Sequence, residues 1–229
     1  MIAKTRLILE VLRSPCVRIE CFGSEFHRHA FDTFTSPHPK YPLIRFTTFG
    51  VMLRQTGESF TGGRYETMRR KVRAAQRLGY TTHEISPDRH FDEIMAVNLS
   101  SAERQGRAMS DDYTNGGAVS RYNTYPGPWF GVFDKGGKLR AYCHTPIMGG
   151  CFFYSRILGD KSRLRDGIMH LMVRDTVIAM QTHLARFGYP EWAMYDTYVG
   201  GGAGLRQFKL SAGFAPARVR WHWADTTPA

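Results

Sequence analysis

Tyr195, Asp196 and Tyr198 place a carboxylate between two phenols at the end of an apolar run, Trp192-Ala193-Met194-Tyr195. A carboxylate at a strand terminus can orient or deprotonate an amine, and a phenol can return the proton. Asp at such a place also serves as a plain turn residue, so the pattern alone does not decide. A second set of chemistry-bearing groups is Arg104 and Arg107 in the stretch Ser100 to Arg107. Their planar guanidinium forks suit a carboxylate or a phosphate, and equally the C-terminal end of a helix, where cations are favoured. The third set is a column, Arg69, Arg73 and Arg77 at successive i+4 steps, beside Arg70 and Lys71. Such a face binds a polyanion or is simply solvated.

The elements that must position these groups follow from apolar spacing. Arg64 to Leu78 is predicted as a helix with Tyr65, Met68, Val72 and Ala75 on its core face and the arginine column on the other, ended by Gly79. Trp192 to Tyr195 is a buried strand. Gly200, Gly201, Gly202 and Gly204 are expected to open conformations or close approaches denied to larger residues. Leu205, Phe208 and Ala212 then share a helical face, with Arg206, Gln207 and Lys209 off it, and Gly213 caps the helix. From Ala217 the period becomes two, with Val219, Trp221 and Trp223 on one side of a last strand.

Earlier in the chain, Leu7 to Leu12, Val17 to Phe22 and Leu43 to Leu53 read as strands, with Ser36-Pro37-His38-Pro39 as a surface loop. Ser86-Pro87-Asp88 reads as a helix start with Ser86 as the cap, followed by the stripe Phe91, Ile94, Met95 and Leu99. Asp111 to Pro128, rich in Tyr, Asn and Gly and carrying Tyr113, Tyr122 and Tyr125, reads as a long functional connection. Trp129 to Phe133, Leu139 to Thr145 and Cys151 to Leu158 are successive strands. A long helix from near Ser162 to Phe187 is predicted to bury Leu164, Ile168, Leu171, Met172, Ile178 and Ala179.

Composition narrows the partners. The 229 residues are 42% apolar, enough for a substantial core, and 31 Lys and Arg against 20 Asp and Glu give a net charge of +11. That excess favours a phosphate-bearing or polyanionic partner, with coenzyme A, an ATP-like cofactor, tRNA and DNA all in range. The four cysteines show no paired or repeated spacing, so neither a zinc site nor a disulfide framework is expected. His27 and His29, two apart on a presumed strand, lack the ligands that would complete a metal set, and no metal is expected. No apolar run is long enough to span a membrane, and the charged N-terminus is unlike a signal peptide, so a cytoplasmic location is expected. The domain division expected is residues 1–60 as strands and connectors leading into the core, and 61–229 as the main domain, together forming one compact unit.

Three segments resemble the GCN5-related N-acyltransferase (GNAT) superfamily, in the variant of the Fem-type aminoacyl-tRNA-dependent transferases. They are Tyr195-Asp196 before a glycine-rich turn with Gly204-Leu205-Arg206-Gln207-Phe208-Lys209 and Gly213-Phe214; the basic helix Arg69-Arg70-Lys71-Val72-Arg73-Ala74-Ala75 through Gly79; and the arginine-bearing turn at Arg104 and Arg107. The resemblance implies an α/β (α+β) GNAT-like fold, a mixed central sheet flanked by helices. It implies transfer of an acyl or aminoacyl group from an activated donor to an amine, with Lys209 of the Phe208-Lys209 pair contacting the oxyanion or carboxylate. Asp196, Tyr195 and Tyr198 are the acid and base candidates; Arg104, Arg107, Phe208, Gly167, Arg69 and Arg73 are the binding candidates.

The chain departs from the acyl-coenzyme A members of that superfamily at Arg163-Leu164-Arg165-Asp166-Gly167-Ile168-Met169. There the pattern Arg/Gln-x-x-Gly-x-Gly/Ala normally frees amides at a helix N-terminus for a pyrophosphate. Only Gly167 matches, and Asp166 adds an opposing charge. No tightly bound cofactor is expected; acyl-CoA or aminoacyl-tRNA is the co-substrate, and the choice stays open. The rival reading is a non-catalytic basic nucleic-acid-binding protein on a degenerate acyltransferase fold, although the basic helix lacks the exposed aromatics such proteins interleave with cations.

Overall fold

A computed structural model describes residues 2–38, 41–45, 49–104, 106–199 and 202–224. In chain order the helices are α1 (Ile2–Leu12), α2 (Glu25–Thr35), α3 (Glu66–Arg77), α4 (Phe91–Leu99), α5 (Asp111–Thr114), α6 (Gly116–Asn123), α7 (Ile168–Phe187) and α8 (Ala203–Ser211). The chain forms two compact units, each assembled from separate stretches of sequence. The first takes Met1–Ser59, Ile147–Phe153 and Met180–Ala229; the second takes Phe60–Pro146 and Tyr154–Ala179.

A six-stranded mixed sheet organises the first unit. Cys16–Cys21 runs parallel to Ala215–Trp223, which pairs antiparallel with Phe49–Gln55; that strand pairs antiparallel with Trp192–Thr197, which lies parallel to Cys151–Phe153, with Ile147–Met148 at the edge. Alternation of side chains along these strands delivers Ile19, Cys21, Val51, Leu53, Met194, Ala217 and Val219 to one core, into which Phe31 of α2 also packs. Two segments of this unit expected as strands are helical. Leu7 to Leu12 lies in α1, where Ile8, Leu9 and Leu12 are exposed and Val11 is buried. His27 and His29 lie on α2, and His27 Nδ1 meets the Ser24 hydroxyl at 2.9 Å.

The second unit is built on a four-stranded antiparallel sheet in the order Arg156–Gly159, Leu139–His144, Trp129–Phe133, Thr81–Glu84. Ile94 and Val97 of α4 and Val119 of α6 pack with Trp129, Leu139, Tyr142 and Leu158. The expected single strand Cys151 to Leu158 is two strands in two sheets, broken at Tyr154-Ser155. Asp111 to Pro128 is largely helical, because the Asn115 side chain accepts from the Ala118 amide and caps α6. Helix α4 starts at Phe91 rather than at Ser86, with no side-chain cap.

Helix α3 and the 3-10 turn that leads into it carry the predicted stripe: Tyr65, Met68, Val72 and Ala75 are buried, and Gly79 follows the helix at φ +84. Helix α7 begins at Ile168, after a 3-10 turn capped by Asp160, rather than near Ser162. Ile168, Leu171 and Met172 are buried as expected, whereas Leu164 and Ile178 are exposed at 37% and 46%. Among the described residues no helix is long and apolar enough to cross a membrane.

Candidate functional site

In the first unit the strand Trp192–Thr197 loses its regular register against Phe49–Gln55 between Met194 and Thr197. Asp196 sits in that irregularity with φ +52, a left-handed conformation that a non-glycine residue adopts rarely and Asp more readily than most. The bulge turns the Asp196 side chain outward, where it is 60% exposed.

Lys209 comes up beneath it from α8. Its position is four residues after Leu205 and three before Ala212, so it falls on the buried stripe of that helix rather than off it, as its charge suggests. The whole residue is fully buried, with the ammonium donating to the Thr197 carbonyl at 3.1 Å and lying 3.7 Å from an Asp196 carboxylate oxygen. It also stands 4.8 Å from the centre of the Tyr195 ring, a cation–π contact. Burial lowers the pKa of Lys209, and the neighbouring Asp196 charge opposes that shift.

Tyr195 is buried and packs edge-on against Phe208 and Phe214, with ring centres 6.1 and 5.6 Å apart. Tyr198 points elsewhere: its hydroxyl donates to the Glu10 carboxylate of α1, and its amide to the Gly50 carbonyl at 2.6 Å. Burial, then the bond to Glu10, raise the Tyr198 pKa. Four of the predicted residues, Tyr195, Asp196, Phe208 and Lys209, are thus brought together, and Tyr198 is held by α1.

The glycines around α8 act differently from expectation. Gly202 has an ordinary φ of −63, and a Cβ at Gly202 or Gly204 would meet nothing within 4 Å. Gly200 and Gly201 lie outside the described residues. Gly213, at φ +87, caps the helix as predicted.

The remaining candidates belong to the second unit. Arg69 donates to the Phe60 and Gly62 carbonyls at 3.2 and 2.6 Å, pinning the segment that leads into α3, whereas Arg73 is exposed. Arg104 and Arg107 face each other in a two-strand hairpin, Glu103–Arg104 with Arg107–Ala108, instead of ending a helix. The Arg104 guanidinium reaches the Val97 carbonyl, the Ser100 hydroxyl and the Gly159 carbonyl at 3.2, 3.3 and 2.9 Å, while Arg107 is exposed. Gly167 has φ +90, and a Cβ there would stand 2.4 Å from the Lys71 carbonyl oxygen. Close contact with α3 is a sufficient reason for a glycine at that position. Asp166 beside it accepts a hydrogen bond from the Tyr80 hydroxyl at 2.6 Å.

One polar chain in this unit was not singled out from the sequence. His144 Nε2 lies 3.1 Å from the Pro126 carbonyl, which can only accept, so Nε2 carries the proton and Nδ1 is the acceptor. The Tyr122 hydroxyl, 3.1 Å from Nδ1, therefore donates to it and accepts from Ser155. Burial, reinforced by the charge of Arg156, pushes the His144 pKa down to about 4, so the ring is neutral near pH 7. Only the spacing of Tyr113, Tyr122 and Tyr125 hinted at this group in the sequence.

No family model and no curated protein matches the chain. Solved structures do. The chain superposes on FemX with a TM-score of 0.53 at 12% identity, over 73% of this chain and 59% of that one. It superposes on a conserved protein of unknown function from Bacteroides thetaiotaomicron VPI-5482 with a TM-score of 0.51 at 16% identity, over 74% and 57%. For L-PGS from Bacillus licheniformis the values are 0.50 and 14%, over 73% and 57%. The chain therefore spans less than three fifths of the length of each of these structures. These matches show that the chain, with its mixed sheet, antiparallel sheet and flanking helices, shares the fold of FemX and L-PGS.

Proposed function

We propose that this chain is an N-acyltransferase, moving an acyl or aminoacyl group from an activated ester or thioester to an amine. The observation that carries this reading is the buried Lys209 ammonium held at the strand bulge by the Thr197 carbonyl and the Asp196 carboxylate. Attack of an amine on an ester or thioester carbonyl makes a tetrahedral oxyanion, and a fixed, poorly solvated cation stabilises it far better than a mobile one in water. In this reading Lys209 supplies that positive charge. Asp196, exposed and adjacent, orients the incoming amine and accepts its proton. Tyr195 positions the ammonium through its ring face.

Two features favour an aminoacyl-tRNA donor over coenzyme A. The exposed Arg70, Arg73 and Arg77 of α3 form a cationic face suited to several phosphates, and the one glycine matching a pyrophosphate loop, Gly167, is packed against the Lys71 carbonyl. The fold likeness to FemX is compatible with this choice. The test offers the purified chain a mixture of radiolabelled aminoacyl-tRNAs or, separately, acetyl-coenzyme A, with a panel of amines and amino-terminated peptides. Labelled amide from the tRNA donors is expected, together with weak acetyl-coenzyme A binding by calorimetry. Tight acetyl-coenzyme A binding with acetyl transfer would reassign the donor, and no transfer from either donor would remove the acyltransferase reading.

A further inference from the structure

Arg156 opens the edge strand Arg156–Gly159 of the second unit and is only 5% exposed. Its guanidinium lies 3.6 Å from the centre of the Tyr122 ring and 4.6 Å from that of Tyr113. Aromatic rings favour a cation electrostatically, but they accept no in-plane N–H bond. Nη1 is buried and has no hydrogen-bond partner. A buried cation without an acceptor is costly, and such groups in folded proteins are ordinarily paired.

Arg156 lines a cavity of about 390 Å³, together with Asp112, Tyr113, Arg121, Tyr122 and Ser155. Its walls are preorganised. The Ser155, Tyr122 and His144 chain fixes the Tyr122 ring that covers the guanidinium, and the neutral His144 adds no competing charge. Arg121 brings a second cation to the cavity, and Asp112 a single carboxylate.

We propose that this cavity binds the carboxylate group of a small organic ligand, with Arg156 as its counter-ion. Arg156 lines the cavity and Nη1 lacks an acceptor, and a planar carboxylate engages a guanidinium fork through two parallel hydrogen bonds. Asp112 disfavours a doubly charged phosphate in the same space and complements a ligand that also carries a donor such as an ammonium. The inference stands apart from the acyltransferase reading, since every residue in it belongs to the second unit and none is Lys209 or Asp196.

The test is a titration followed by NMR of the arginine side-chain N–H resonances, using benzoate, benzamide and inorganic phosphate as probes. The Arg156 resonances, assigned by their loss in Arg156→Met, are expected to shift with benzoate and to stay in place with benzamide. Arg156→Lys, which keeps the charge and loses the fork, is expected to weaken benzoate binding by about 10- to 100-fold, the value of one or two charge-assisted hydrogen bonds. Arg156→Met is expected to fold without loss of melting temperature. An Arg156 resonance that does not respond to benzoate, or responds equally to benzamide, overturns the proposal. So does a response to phosphate alone, and so does unchanged benzoate affinity in Arg156→Lys.

Discussion

Two of the buried cations, Lys209 in the first compact unit and Arg156 in the second, are held in opposite ways. Lys209 is fully buried yet compensated, by a carbonyl 3.1 Å away and a carboxylate 3.7 Å away. Arg156 is nearly as buried, and its faces are covered by tyrosine rings while Nη1 finds no acceptor. A compensated cation is stable in place and can lend its charge to chemistry without a ligand to hold it there. An uncompensated one leaves a deficit that a ligand anion relieves. Both differ from Arg104, whose three acceptors make it a tie between α4 and the strand Arg156–Gly159.

The contrast is broken most easily by stability measurements. Arg104→Met strands the acceptors it serves and is expected to cost about 2 kcal/mol in denaturant unfolding, whereas Arg156→Met costs nothing measurable. Equal losses in the two variants would mean that Arg156 is a structural tie like Arg104.

A pH series sharpens the same contrast for Lys209. Its pKa is lowered in the folded state, so the native chain gives up that proton before the unfolded chain does. As pH rises from the lowered value to the ordinary lysine range, the unfolded state holds more protons and the Lys209 contribution to stability increases. Activity that requires the ammonium falls over the same window. Opposite trends in transfer rate and in unfolding midpoint are expected, and both should disappear in Lys209→Met. Parallel trends would argue against a role for the charged form.

The smallest effect belongs to the solvated cations of α3. Arg73→Gln with Arg77→Gln is expected to leave the fold intact and to reduce the slope of log affinity for tRNA against log salt by about 1 to 2. Arg69 is left out of that pair because it pins the Phe60 and Gly62 carbonyls. An unchanged slope would remove α3 as the polyanion face.

How far these arrangements were legible in the sequence depended on whether their causes were local. The α3 stripe follows from side-chain period, and the strand from Trp192 follows from its apolar run, which points to an end at Tyr195 where the structure continues to Thr197. Leu7 to Leu12 suggests a strand because a short apolar run has no distinctive period, whereas the structure makes it part of α1, with Ile8, Leu9 and Leu12 exposed. The division of Cys151 to Leu158 between two sheets depends on distant pairing partners, Trp192–Thr197 for one half and Leu139–His144 for the other. The charge of Lys209 suggests the outer face of α8, whereas its place between Leu205 and Ala212 puts it inside. Arg156 gave no local sign, since its partners Tyr113 and Tyr122 lie on separate short helices in a stretch that read as loop.

The most direct test of the central claim is the transfer rate of Lys209→Met with the donor that the wild-type chain uses. Methionine keeps the length and apolar stem of the side chain in its buried stripe and removes the ammonium. If Lys209 stabilises the oxyanion, the rate falls by roughly 100- to 1000-fold in a chain that remains folded, the usual cost of one such donor. A folded Lys209→Met chain that transfers at the wild-type rate would contradict the account and leave the buried ammonium as a brace for the bulge at Asp196.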